Sequence, residues 1–390
     1  MTVRNQEERP PRWPDGRVET EMIMQRVAPV PNASHELIGT GVFNRDTARA
    51  AIPEAGRVSL ARFAWLVVAY NVAVIVWGAY VRATGSGAGC GSHWPLCNGE
   101  FLPTTRQTQT VIEFTHRVTS GVSLVLVAIL LIWCWRRTAK GNWPRYSAIA
   151  AAVLLFNEAL LGALLVLVDH VGSLNRHTTH ALFLCLHFGN TLLLLAALAL
   201  TASWLSNRDR RFGFVRRPYQ TIAAGLGLVS VMVIGITGSL ASLGDTIFPA
   251  DSLRNAVLED FSSSSPALLR LRVLHPIAAV IGSLYVLWLL RVFWRKRERS
   301  TCMSLLLITL TGQIALGAMN VILLAPVWLQ MTHLLVAEIF WILLVLASAD
   351  QLFAIHDSDV PPSRKKSAPA NWNLALKTTG HISCRGGPSS

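Results

Sequence analysis

Charge is scarce in this chain: 15% of its 390 residues are Asp, Glu, Lys or Arg, against about 25% in soluble globular domains. That scarcity argues against an ordinary soluble enzyme. Together with 52% apolar residues it excludes disorder as the main state. Cysteine is also sparse, with six in the whole chain, too few for a disulfide scaffold. The first 62 residues hold nine Arg and eight acidic residues, several Pro and no long apolar run. They lack the apolar core of a secretory signal, and their acids argue against a transit peptide. Residues 1–62 read as a polar, disordered cytoplasmic tail.

Acids are the scarcer charge, 22 against 35 basic residues, a net charge of +13. In a soluble protein that balance would point to nucleic acid. A mean hydropathy of +0.42 offers another source, basic residues on the loops of a membrane protein. Eight apolar stretches follow the tail, at 63–82, 111–135, 146–168, 178–204, 219–241, 269–290, 303–325 and 328–349. Each is near the roughly 20 residues that cross a bilayer, and backbone satisfaction in lipid makes each a helix. The loop charges alternate. Segments 136–145, 205–218 and 291–300 are rich in Arg and Lys, whereas 83–110, 169–177 and 242–268 hold one Arg each. By the positive-inside rule both tails and the basic loops are cytoplasmic, in a multi-pass protein of a bacterial plasma membrane. No nucleic-acid partner is then needed.

The halves echo each other. Thr84-Gly85-Ser86 is matched by Thr237-Gly238-Ser239, and Leu161-Gly162-Ala163 by Leu316-Gly317-Ala318, 153 and 155 positions on. His116 is echoed by His275, and His187 by His333. The expected fold is an all-α integral membrane protein of eight transmembrane helices, as two tandem, pseudo-symmetric four-helix bundles. Residues 63–204 form the first bundle, 205–218 a basic linker, 219–350 the second bundle, and 351–390 a cytoplasmic tail.

An imidazole inside a membrane helix is unfavourable unless it has a partner, so an intramembrane His is a functional hypothesis by default. The bland alternative, a hydrogen bond to a neighbouring helix, suits any one of them but not four at repeated places. Two His at matched depth in one bundle suit axial ligation of a haem iron. Zinc would want three or four converging ligands. Span 4 offers both His180 and His187, seven apart on nearly one face, and His187, the deeper of the two, is preferred. Glu113 precedes His116 by three and shares its helix face; Arg272 stands at the equivalent place in the second half. Cys90 and Cys97 bracket six residues of the first outer loop and are expected to pair on an oxidising side, either as a structural staple or as a redox-active pair. Glu158 and Glu338 lie within spans, with no partner evident from spacing.

The run Gly78-Ala79-Tyr80-Val81-Arg82-Ala83-Thr84-Gly85-Ser86-Gly87, then Cys90-Gly91-Ser92-His93-Trp94-Pro95-Leu96-Cys97-Asn98-Gly99, then Ile112-Glu113-Phe114-Thr115-His116-Arg117 closely resembles the N-terminal signature of the bacterial haem A synthase family. The resemblance extends over about 65–350. It implies an oxidoreductase that converts the C8 methyl group of haem O to a formyl group, giving haem A for cytochrome oxidase assembly. It implies that His116 and His187 flank the substrate haem O, that Glu113 is the essential carboxylate, and that His275 and His333 ligate a haem b cofactor. Cys90 and Cys97 match the outer-loop pair of the subgroup that has one. Charge and depth make Arg82 and Arg117 candidates for haem propionate contacts. The partners implied are membrane lipid, a haem O synthase and an electron donor, quinol or redox protein; a homo-oligomer is open. The competing readings are a bis-His cytochrome that only passes electrons, a haem-carrying assembly factor and a transporter.

Overall fold

The computed structural model describes residues 54–168, 176–206, 211–214, 218–294 and 301–356. The tail expected over 1–62 falls outside them as far as residue 53. So do the C-terminal tail from 357, most of the charges of the second and third basic loops, and His170.

Among the described residues eight helices are long and apolar enough to cross a membrane, and the chain is a multi-pass membrane protein. The first bundle comprises α1 (Glu54–Ala83), α2 (Thr108–Arg137), α3 (Trp143–Val168) and α4 (Arg176–Ser206). After β1 (Arg211–Phe214) come α5 (Pro218–Ile247) and two short loop helices, α6 (Leu253–Phe261) and α7 (Ala267–Arg270). The second bundle is completed by α8 (Leu274–Trp294), α9 (Thr301–Ile322) and α10 (Val327–Leu352), followed by β2 (Phe353–His356). The strands pair antiparallel, from Arg211 opposite His356 to Phe214 opposite Phe353. Among the described residues this ribbon and an isolated bridge between Cys97 and Glu100 are the departures from an all-helical fold.

Span 6 is not one regular helix. α7 passes through a 3-10 turn at Leu271–Val273 before α8 begins. Pro276 explains the break, because it lacks the N–H that would bond the Arg272 carbonyl and is tolerated only in a helix's first turn. His275 is thereby set at the opening of α8.

The bundles meet through α1, α4, α5 and α10. About half of α4 and of α10 is buried, against 11% of α9, so these two helices form the centre. Leu195, Leu198 and Leu344 are fully enclosed there, and the Trp341 indole donates to the Leu192 carbonyl at 2.8 Å. The outer helices show Val125, Val153, Ile281 and Ile308 outward, as lipid-facing helices do. Arg145, counted as a loop charge in the sequence, is folded in. Its guanidinium caps the C-terminal end of α2 by donating to the carbonyls of Trp135 and Thr138, where a cation is favoured by the helix dipole.

Candidate functional site

Each of the four histidines rests against a glycine of a neighbouring helix. A methyl group on Gly78 of α1 would stand 2.7 Å from His116 Cε1 of α2. On Gly238 of α5 it would stand 2.9 Å from His275 Cε1 of α8. The other two contacts are looser: Gly162 of α3 faces His187 of α4 at 3.7 Å, and Gly317 of α9 faces His333 of α10 at 3.5 Å. Glycine is needed at the first two places because a real Cβ does not fit there; small residues let transmembrane helices approach this closely. The contacts also re-register the internal repeat. Gly238 corresponds to Gly78, inside the helix, whereas Thr84-Gly85 lies past the end of α1. The Thr-Gly-Ser echo is therefore not a structural equivalence.

In the second bundle the two rings approach each other. His275 and His333 have ring centroids 6.4 Å apart at 82°. Two metal–nitrogen bonds of about 2 Å each, plus the distance from each ring centre to its nitrogen, amount to roughly 6 Å, so one iron fits between them. His275 Nδ1 lies 3.1 Å from the Ile234 carbonyl. Donation there fixes the tautomer and leaves Nε2 for a metal. His116 interacts electrostatically with His187 across the first bundle. Among the described residues no three His, Cys, Asp or Glu side chains converge on a metal position.

Glu113 is 4% exposed, and its partners are the first loop and Arg117, four residues on along α2. The loop reaches it because Gly89 presses on the backbone of Gln109 and Thr110 at the start of α2, where a Cβ would lie 2.5 Å from the Gln109 carbonyl. The Thr110 hydroxyl donates to the Gly89 carbonyl at 2.7 Å, and the Cys90 N–H then donates to Glu113 Oε2 at 2.8 Å. Glu113 Oε1 accepts from Arg117 Nε at 3.1 Å and Nη2 at 2.5 Å. Arg117 Nη1 donates to the carbonyls of His93 and Leu96, both at 2.6 Å. Arg117 thus ties Glu113 to the Cys90–Cys97 disulfide loop. Arg82 donates to the Ser239 carbonyl of the other half at 2.9 Å. The guanidinium groups of both propionate candidates are committed to protein acceptors.

In the second half Arg272 does the equivalent pinning with the charges reversed. It is 8% exposed and binds Asp245 of α5 at 3.0 Å and Asp260 of α6 at 2.7 Å. The Cys90–Cys97 bond closes a short loop, and opening it is worth about 2–3 kcal/mol by chain entropy. Cys90→Ser with Cys97→Ser is expected to lower the thermal midpoint by several degrees and to speed proteolysis within 84–107. Full proteolytic protection of the double variant would show that Arg117 and Glu113 alone hold the loop.

Sequence spacing missed Glu158. Its Oε1 lies 3.3 Å from His187 Nδ1, and it accepts from Thr191 and Asn190. The signal was present in the halves, since Glu158 and Gln313 each stand four residues before the glycine that faces a histidine. Glu338 is 2% exposed, and neither of its carboxylate oxygens has a hydrogen-bond partner among the described residues.

Residues 61–345 match the model of the COX15-CtaA family, described as cytochrome oxidase assembly protein. A protein of Thermus thermophilus named protoheme IX farnesyltransferase is 42% identical over 300 residues, covering 75% of this chain and 48% of that protein. A haem A synthase of Shouchella clausii is 31% identical over 259 residues, 63% of this chain and 80% of the relative. A haem A synthase of Bacillus mycoides is 36% identical over 151 residues, 38% and 46% of the two chains. The chain spans about half the length of the first curated relatives it matches.

Proposed function

Because the chain belongs to the COX15-CtaA family of cytochrome oxidase assembly proteins, we propose that it is a haem A synthase, oxidising the C8 methyl group of haem O to a formyl group. The observation that carries the reading is a pair of histidines in each bundle, each resting on a glycine of a neighbouring helix, with Glu113 and Glu158 beside the first pair where the second half has Arg272 and Gln313. His116 and His187 hold the substrate haem O; His275 and His333 hold a haem b. A haem b held by His275 and His333 would supply one-electron transfer. Methyl oxidation is work for iron and oxygen, and the protein contributes ligation, orientation and charge.

Glu113 is the carboxylate of the reaction in this reading. Its placement at the mouth of the first bundle, under the disulfide loop, sets a negative charge beside the substrate histidine His116, three residues on. That charge suits stabilisation of positive charge developing at the methyl carbon, or acceptance of its proton. The haem b site carries Arg272 at the matching place, paired with Asp245 and Asp260.

The relative from Thermus thermophilus bears the name of a protoheme farnesyltransferase, and the match covers only 48% of its length. The rest has room for a second catalytic unit. A haem O synthase is therefore the partner we place beside this chain, passing it a lipid-tailed substrate within the membrane. An electron donor, quinol or redox protein, is the other partner. The charge pattern of the loops supports a bacterial plasma-membrane topology with both termini in the cytoplasm and the disulfide loop outside.

The test is haem extraction and chromatography from membranes holding this chain together with a haem O synthase. Haem A or its hydroxymethyl precursor is expected with the wild-type chain and absent with His116→Ala. Haem b and unreacted haem O alone, in a folded preparation supplied with oxygen and reductant, would favour the membrane cytochrome. That second reading rests on the same four histidines and leaves the one-sided acids unexplained.

A further inference from the structure

The two halves differ just below the histidines of α4 and α10. Glu158 and Gln313 occupy equivalent places, one turn before the glycines that face His187 and His333. In the second half the amide bypasses the ring: Gln313 Nε2 donates to the backbone carbonyl of His333 at 2.9 Å, and His333 Nδ1 has no hydrogen-bond partner among the described residues. In the first half the carboxylate turns to the ring, with Oε1 3.3 Å from His187 Nδ1. That contact is a charge approach, off the line of a hydrogen bond.

A polar cradle aims Glu158. The Thr191 hydroxyl donates to Oε1 and the Asn190 amide to Oε2. Asn190 is itself fixed, since it also donates to the Leu154 carbonyl and accepts from Asn157, both at 2.9 Å. At the positions of α10 that match Asn190 and Thr191, three and four residues after His333, stand Val336 and Ala337. Three side chains from two helices thus orient one carboxylate, and they have no counterpart in the other half.

We propose that Glu158 is a positioning residue for His187, fixing its ring through Nδ1, presenting Nε2 to the substrate iron, and strengthening that nitrogen as a donor. The first haem site is thereby made electronically unlike the second. The inference rests on the haem A synthase reading and deepens it. A metal-bound imidazole whose second nitrogen meets a carboxylate is a stronger and better-aimed ligand than one without. A carboxylate kept for packing alone would be replaced equally well by the isosteric amide that the second half already uses.

The experiment takes the full chain, purified from cells that also make a haem O synthase, as wild type, Glu158→Gln, Glu158→Asp and Gln313→Glu. The readouts are haem per chain, the ferric electron paramagnetic resonance signature, the midpoint potential of each haem, and kcat and KM for haem A formation. Glu158→Gln is expected to change the signature of the first haem, raise its potential and cut kcat on the order of tenfold or more, with KM little changed. Glu158→Asp should recover part of each effect. Gln313→Glu should move only the second haem, and downward. Glu158→Gln matching wild type in signature, potential and kcat would overturn the inference. So would a haem loss in Glu158→Gln that Glu158→Asp shares while Gln313→Glu shifts nothing. If His116→Ala and His187→Ala leave the wild-type haem spectrum untouched, the function reading itself fails, and that result is separate from any effect of Glu158.

Discussion

Gly238→Val is expected to strip the second haem from a protein that still folds. The Cβ alone would stand 2.9 Å from His275 Cε1 and 3.2 Å from Nδ1, closer than carbon atoms pack. The ring has little freedom to retreat, because its Nδ1 is held by the Ile234 carbonyl one turn earlier on the same helix as Gly238. Two further methyl groups make accommodation harder. Valine is well tolerated by a helix in lipid, so the damage is confined to the ring. Haem per chain should fall by about half, and product formation by on the order of 100-fold if the ligand is displaced by about 1 Å. Gly78→Val should do the same to the substrate site, where the clash with His116 is 2.7 Å. The control is Gly312→Val, since no atom lies within 4 Å of a Cβ there. Haem content equal to wild type in Gly238→Val would mean that His275 is no ligand.

Glu113→Ala should be the most damaging single change in the first half, for two separable reasons. Removing the carboxylate strands the Arg117 cation, 12% exposed, and leaves the buried Cys90 N–H without its acceptor. Breaking one side of a buried ion pair costs about 3–5 kcal/mol, and an orphaned buried donor about 1–3 kcal/mol. The alanine variant therefore mixes loss of structure with loss of chemistry. Glu113→Gln separates them. Its amide oxygen still accepts from Cys90 or Arg117, so the loop should stay protected from protease and haem content should hold. If the carboxylate is needed in the reaction, haem A formation should still drop at least 100-fold, the scale of an electrostatic group in a catalytic site. A glutamine variant that keeps most of its activity would reduce Glu113 to a loop anchor.

The charge reversal between halves sharpens this distinction. An acid at the mouth of the first bundle and an arginine at the mouth of the second both pin an outer loop. Pinning alone is thus no reason for the acid. What Glu113 adds is a negative charge near His116, and Glu158 adds another near His187. The C-terminal bundle has Arg272 and Gln313 at those two places, and its carboxylates Asp245 and Asp260 are taken up by Arg272.

Much was determined by the sequence alone. Eight apolar runs separated by charged loops settle the helices, because lipid permits no other spanning backbone. The histidine pairs and the Cys90–Cys97 loop are legible as motifs, since their neighbours lie within a turn or a short loop. The tertiary structure decided what depends on distant segments meeting. Only folding shows that Gly78 and Gly238, not Thr84 and Thr237, are equivalent, because the match is made by which ring each glycine touches and not by the letters around it. Only folding commits Arg117 to two loop carbonyls and Arg82 to the other half, since an acceptor 157 residues away leaves no trace in local spacing. Glu158 stayed hidden for the same reason. Its partners sit 29 to 33 residues on, across a helix hairpin whose register is set by close packing of α3 on α4, a matter of side-chain shape that periodicity does not encode.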